Sequence, residues 1–182
     1  LIGLTIPIIL DALLAIAAGM VDSAMVSSAG EAAVSAVSLV DQLNMLFINV
    51  FAAIAIGGSV ATAQYVGSRN YAKASVSANQ LLYASTAVAT FFMAVMLVFR
   101  EPVLRLIYGQ IEADVFQNAS IYFFYTLLGY PFFAMGASAT SVLRAMGKNR
   151  QAVTITIAYN VLNVIGNAIL IYGFHLGVAG AA

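Results

Sequence analysis

Five apolar runs, each about 20 residues or longer, follow one another along this chain with only short polar loops between them. A run of that length is what a helix needs to cross a hydrocarbon core about 30 Å thick. Inside hydrocarbon every backbone N–H and C=O must be bonded within the structure, which restricts such runs to helices or closed barrels. The runs lack the period-two alternation of a membrane barrel and contain little proline, so the expected class is an all-α integral membrane protein, a polytopic helical bundle. Segment 1 spans about 1–26, segment 2 about 33–66, segment 3 about 77–99, segment 4 about 115–143 and segment 5 about 152–172. The closing Gly-Val-Ala-Gly-Ala-Ala begins a sixth, and a chain that starts with Leu and stops there reads as a fragment.

Composition excludes several classes of function. The chain is 63% hydrophobic and 8% charged, against about 45–50% and about 25% in an ordinary soluble domain. Seven basic and seven acidic residues cancel, leaving no basic patch of the kind a nucleic acid needs. There is no cysteine, so no disulfide framework or thiolate metal site can form. A membrane-embedded hydrolase would need a paired-acid or His-metal motif, and the chain has one histidine and no H-E-x-x-H. An enzyme is therefore not expected.

Within the runs some local features stand out. Segment 2 exceeds one span and should tilt, or break near Gly57-Gly58, before the loop GSRNYAKA at 67–74. Arg100-Glu101-Pro102 should end segment 3 and open a short amphipathic piece, VLRLIYG, lying at the interface. Pro131 should kink segment 4. Gly57-Gly58 and the run from Gly136 to Thr140 suit close helix packing, and His175 suits a solvated interface.

Lysine and arginine set the expected orientation. The loop after segment 2 holds Arg69 and Lys73, and the loop after segment 4 holds Arg144, Lys148 and Arg150, all without an acid. The opposite loops carry Glu31 alone, or Arg100 and Arg105 diluted by Glu101, Glu112 and Asp114. The basic loops should be cytoplasmic, and with them the N-terminus, in a multi-pass protein of the plasma membrane.

Three carboxylates interrupt the apolar runs. Asp11 and Asp22 lie eleven residues apart in segment 1, close to three helical turns, so that Asp11, Ala15, Ala18 and Asp22 share a face. A charge at such a depth costs about 2.5–3.5 kcal/mol on insertion scales and is a functional candidate by default. Segment 2 places Ser38, Asp41, Gln42 and Asn49 within an arc of about 100°. Segment 5 aligns Thr156, Asn160, Asn163 and Asn167 along one stripe. With the N-terminus inside, Asp22, Asp41 and Asn167 fall at one depth in the outer half, where their oxygens could hold Na⁺ or shuttle a proton. Asp11 falls in the inner half. The plainer reading of Thr156 and Asn160 is interhelical hydrogen-bonding glue.

Four stretches carry a resemblance to a known family: IPIILDALLAIAAGMVDSAMVSSAGEAAVSAVSL, ATAQYVGSRNYAKA, IYFFYTLLGYPFFAMGASATSVLRAMGKNR and YNVLNVIGNAILIYGFHLGVAGAA. In this order and with these loop lengths the chain resembles the multidrug and toxic compound extrusion (MATE) antiporters. The resemblance implies a twelve-helix transporter of two six-helix lobes, of which this chain supplies most of the N-terminal one. It implies export of drugs and other organic cations in exchange for Na⁺ or H⁺, with no cofactor beyond that coupling ion. Implied partners are the lipid bilayer, small organic cations and a second lobe. The family's V-D-[ST] acid falls on Asp22, and its Asn and Asp of helix 5 fall on Asn163 and Asn167. Asn167 thus replaces a carboxylate, and the family's helix 6 ligand lies past the chain end, which favours proton coupling or a cage rebuilt with Asp41. Taken with the depth and stripe readings above, the expected ion-coupling set is Asp22, Asn163, Asn167 and Asp41, and the expected cavity set is Asp11, Asn160, Thr156 and Asn49. Two alternatives remain: a lipid-linked sugar flippase of the same superfamily, though no Lys or Arg lies within the spans to meet phosphate, and a non-transporting assembly subunit, which leaves three acids unexplained.

Overall fold

The computed structural model describes residues 13, 16, 19–20, 30–109, 112–173 and 178–181. Asp11, Asp22 and His175 lie outside the described residues. Leu13, Ile16, Gly19 and Met20 are helical, and four long helices follow: α1 (Glu31–Gly67), α2 (Tyr71–Tyr108), α3 (Ala113–Ala145) and α4 (Asn149–Ala168). A π-helical turn, Ile169–Gly173, continues α4, and a short α5 spans Val178–Ala181. The class is all-helical and membrane-suited; among the described residues, four helices, rather than five with the start of a sixth, are long and apolar enough to cross a bilayer. The remainder of that expected set falls on segment 1, outside the described residues but for its four helical positions, and on α5, which is one turn long.

The bundle is built on the seam between α1 and α3, with α2 packed against both. On α1 the buried positions Ala33, Val37, Val40, Asn44, Phe47, Phe51, Ala55, Ser59 and Thr62 recur every three or four residues, the spacing of a single helix face. On α3 the matching row is Val115, Ala119, Phe123, Leu127, Tyr130, Ala134, Ser138 and Val142. Midway along, Phe47 and Phe51 meet Phe92 of α2 and Tyr130 of α3, with ring centroids 5.0–6.3 Å apart and tilted or edge-on. Polar groups zip the lower half: the Ser138 hydroxyl donates to Ser85 Oγ at 2.7 Å, and Thr62 Oγ1 lies 3.3 Å from Ser77 Oγ.

Several local expectations are corrected. No break occurs at Gly57-Gly58, because α1 runs unbroken to Gly67; a Cβ at Gly58 would meet the Leu81 side chain, while Gly57 and Gly136 face open space. Of the three glycines only Gly58 is closely packed, whereas the run from Gly136 to Thr140 packs through Ser138, fully buried against Ser85 of α2. The piece after Pro102 is not separate, since α2 continues through the proline to Tyr108. Proline inside a helix removes one hydrogen bond, and the last turns are held instead from outside. Leu104 is fully buried, the Tyr108 hydroxyl donates to the Leu39 carbonyl at 2.6 Å, and the Arg105 guanidinium stacks on Phe116.

The two ends of the bundle differ in charge. Among the described residues, Glu31, Asp41, Glu101, Glu112 and Asp114 all lie toward the end where α1 and α3 begin, together with Arg100 and Arg105. Arg69, Lys73, Arg144, Lys148 and Arg150 gather at the other end with no described acid.

Candidate functional site

A polar network crosses the α1–α3 seam about three turns in from the acidic end. Asp41 of α1 accepts a hydrogen bond from the Tyr122 hydroxyl of α3 at 2.9 Å, and the Asn44 amide approaches the same carboxylate oxygen at 3.5 Å. One turn deeper, the Tyr130 hydroxyl donates to Asn44 Oδ1 at 2.8 Å. Asn44, Tyr122 and Tyr130 are buried, whereas Asp41 is exposed at the rim. The chain Tyr130, Asn44, Asp41, Tyr122 therefore leads from the aromatic centre of the bundle to an open carboxylate. Ser38, Gln42 and Asn49 of α1 are exposed on the same side of that helix.

The partners that the structure gives Asp41 are a tyrosine and an amide, which the sequence analysis did not single out. A buried tyrosine hydroxyl needs a hydrogen-bond partner, and Tyr122 and Tyr130 fall on the buried row of an apolar run. That coincidence was the signal available in the sequence. A bond between tyrosine and a carboxylate is worth about 1.5–3 kcal/mol when buried, and exposure of Asp41 reduces this to about 1 kcal/mol. A double-mutant cycle of Tyr122→Phe and Asp41→Asn, read by thermal unfolding in detergent, should return a coupling of about 1 kcal/mol. Additive effects would mean that the pair contributes nothing to stability.

The amide stripe of α4 stands apart. α4 packs against α3, and α1 and α4 share no comparable seam, so the network around Asp41 and the α4 stripe line different contacts. Thr156 is half-buried and its hydroxyl donates to the Ala152 carbonyl at 3.2 Å, which returns it to its own helix. The amide nitrogen of Asn160 is buried and has no hydrogen-bond partner among the described residues. Asn163 is half-buried and Asn167 is buried.

Just past Asn167 the α-helix gives way to the π turn. The Ile169 N–H lies over the Gly166 and Ile165 carbonyls as the register changes, and π turns inside helices recur at functional sites. Gly180 of α5 sits against this turn, where a Cβ would come 3.0 Å from the Leu170 carbonyl and 3.2 Å from the Ile171 nitrogen. Only glycine permits that approach without moving backbone. Among the described residues no three of His, Cys, Asp and Glu converge to hold a metal.

Comparison with known proteins matches this architecture. A family model described as MatE covers residues 7–169. The chain is similar to the uncharacterized transporter YisQ of Bacillus subtilis, with 31% identity over all of this chain and 40% of the relative. It is 28% identical to the probable multidrug resistance protein NorM of Thermotoga maritima, over all of this chain and 40% of that protein. To the multidrug export protein MepA of Staphylococcus saprophyticus it is 24% identical over 98% of this chain and 39% of that protein. Among solved structures, a MATE in its straight conformation superposes with a TM-score of 0.90 at 25% identity, covering 99% of this chain and 40% of that one. A MATE in its bent conformation gives 0.88 at 25% identity, over 100% and 40%. The chain spans about 40% of the length of the curated relatives it matches. With the family match running through every long helix and the fold reproduced, the chain belongs to the MatE family of membrane transporters.

Proposed function

We propose that this chain forms the N-terminal lobe of a secondary active antiporter that exports drugs or other organic cations in exchange for H⁺ or Na⁺. The observation that carries the reading is the match to the MatE family over residues 7–169, together with relatives named for multidrug export. Intramembrane acids support it, because a carboxylate among apolar helices is costly unless a cation comes to it. In this reading Asp22, Asn163, Asn167 and Asp41 couple the ion, and Asp11, Asn160, Thr156 and Asn49 line the cavity. The amide nitrogen of Asn160, which has no partner among the described residues, supports a cavity whose occupant completes its hydrogen bonds. The protein sits in the plasma membrane with Arg69, Lys73, Arg144, Lys148 and Arg150 toward the cytoplasm.

The test is transport by the protein at its full natural length in proteoliposomes loaded with a cationic dye. Dye should leave against its gradient when an inward Na⁺ or proton gradient is imposed, and stop when the gradient is collapsed. Correctly inserted protein that moves no dye under either gradient would overturn the proposal. Alternating access needs two bundles moving about a shared site, so residues 1–182 alone should give no flux.

A further inference from the structure

At the basic end a groove of about 360 Å³ opens between the last turns of α1 and the first turns of α2. Ala61, Ala72 and Val76 form its apolar wall, while Tyr65, Lys73, Ser77 and Gln80 supply its polar groups. We infer that this groove binds one anionic phospholipid, with the phosphate on Lys73 and Tyr65, the ester carbonyls on Ser77 and Gln80, and an acyl chain along the apolar wall.

The fold sets the backbone from which these polar groups project. The turn at 68–70 is closed by the Asn70 N–H donating to the Tyr65 carbonyl at 2.9 Å, and the Asn70 side chain accepts from the Lys73 N–H at 3.1 Å. The backbone positions that carry Tyr65 and Lys73 are therefore fixed across one tight turn. Beneath them, Ser77 Oγ accepts from Thr62 Oγ1 at 3.3 Å, which leaves the serine's own hydrogen to donate outward.

The order of these groups along α2 matches the order of groups along a phospholipid. Lys73 is nearest the loop, Ser77 is one turn further in, and Gln80 about two turns in. A cation followed by two neutral donors is what phosphate and ester carbonyls require in turn, and Ala61, Ala72 and Val76 stand beside these groups as the apolar wall against which the glycerol and the start of an acyl chain pack. The wall is open, with Val76 56% exposed and Tyr65 37% exposed, and tyrosine at this level is characteristic of the membrane interface. Charge selects the anionic lipid. Arg69 flanks Lys73 in the turn, and no described carboxylate lies at this end of the bundle. A free phosphate ion would engage Lys73 and Tyr65 but would leave the apolar wall and the deeper donors unused.

The experiment is native mass spectrometry of the full-length protein released from nanodiscs of phosphatidylcholine with or without phosphatidylglycerol. Wild type should retain one phosphatidylglycerol per protein through detergent washing, and no phosphatidylcholine in its place. Lys73→Gln should lower the retained fraction about tenfold, beyond the about fivefold that a juxtamembrane cation contributes through the general field. Ala72→Trp, which fills the groove and keeps every charge, should lower it as far. Lys148→Gln, on the same face but outside the groove, should have the smaller effect. Equal losses from Lys73→Gln and Lys148→Gln would reduce the site to a diffuse positive surface and overturn the inference. Retention surviving Ala72→Trp, or displacement of the lipid by millimolar inorganic phosphate, would overturn it too. Melting temperatures of the variants within a few degrees of wild type establish that lost retention is lost binding.

Discussion

Asp22→Asn should abolish ion-driven export by the full-length protein while leaving insertion and folding intact. The proposal gives Asp22 the only charge on segment 1 in the outer half, at the position that matches the family's V-D-[ST] pattern. Neutralising it by a proton or Na⁺ removes the cost of an intramembrane charge, about 2.5–3.5 kcal/mol. That energy is enough to favour one packing of the segment over another by roughly a hundredfold, since about 1.4 kcal/mol is a factor of ten. Asparagine is locked in the neutral form, so the ion no longer distinguishes the two packings and gradient energy no longer reaches the substrate. Removing a buried charge does not by itself destabilise a fold, which separates this outcome from simple loss of protein. Asn160→Ala is the contrasting variant: in the proposed cavity it should weaken dye affinity and leave the dependence on external pH and Na⁺ unchanged. The measurement is dye efflux at matched expression, repeated across external pH and Na⁺. Wild-type-like efflux from Asp22→Asn would eliminate that residue as the coupling site and transfer the role to Asp41.

How far the chain reveals its own structure depends on whether a feature is periodic or pairwise. The helices of the α1–α3 seam are written into the spacing of Val40, Phe47 and Phe51 and of Phe123, Leu127 and Tyr130, because each face repeats within one segment. Pro102 misleads for the converse reason. Its local cost is visible in the sequence, but the contacts that outweigh it, Tyr108 to Leu39 and Leu104 in the core, join residues far apart in the chain. The same holds at the candidate site. Asp41, Asn160, Asn163 and Asn167 stand out as polar residues in apolar runs, whereas the pairing of Asp41 with Tyr122 spans 81 positions. No spacing rule reaches that far. The π turn after Asn167 is equally silent, since Ile-Leu-Ile-Tyr-Gly reads as ordinary apolar helix until Gly180 is brought against it.

Phe51→Ala should be the most destabilising single change in the aromatic centre, and its size tests how the bundle is held. Phe51 is 2% exposed and its ring packs edge-on against Phe92 and Tyr130 at 6.3 and 5.5 Å. In a water-soluble core a buried Phe→Ala costs about 3–5 kcal/mol, the sum of a transfer term and a cavity term. In a bilayer the transfer term largely disappears, because the side chain of a separated helix rests in lipid tails as apolar as the core it left. What remains is the lost dispersion contact and the cavity, so the expected cost is about 2 kcal/mol. Phe99, on the outer side of α2 and 53% exposed, leaves no cavity when trimmed and should cost less than about 0.5 kcal/mol. Unfolding in mixed micelles measures both. A Phe51→Ala cost near zero would mean that the α1–α2–α3 contact is loosely filled. A cost equal to the soluble value would mean that water reaches these faces when the helices separate, and that the transfer term operates here after all.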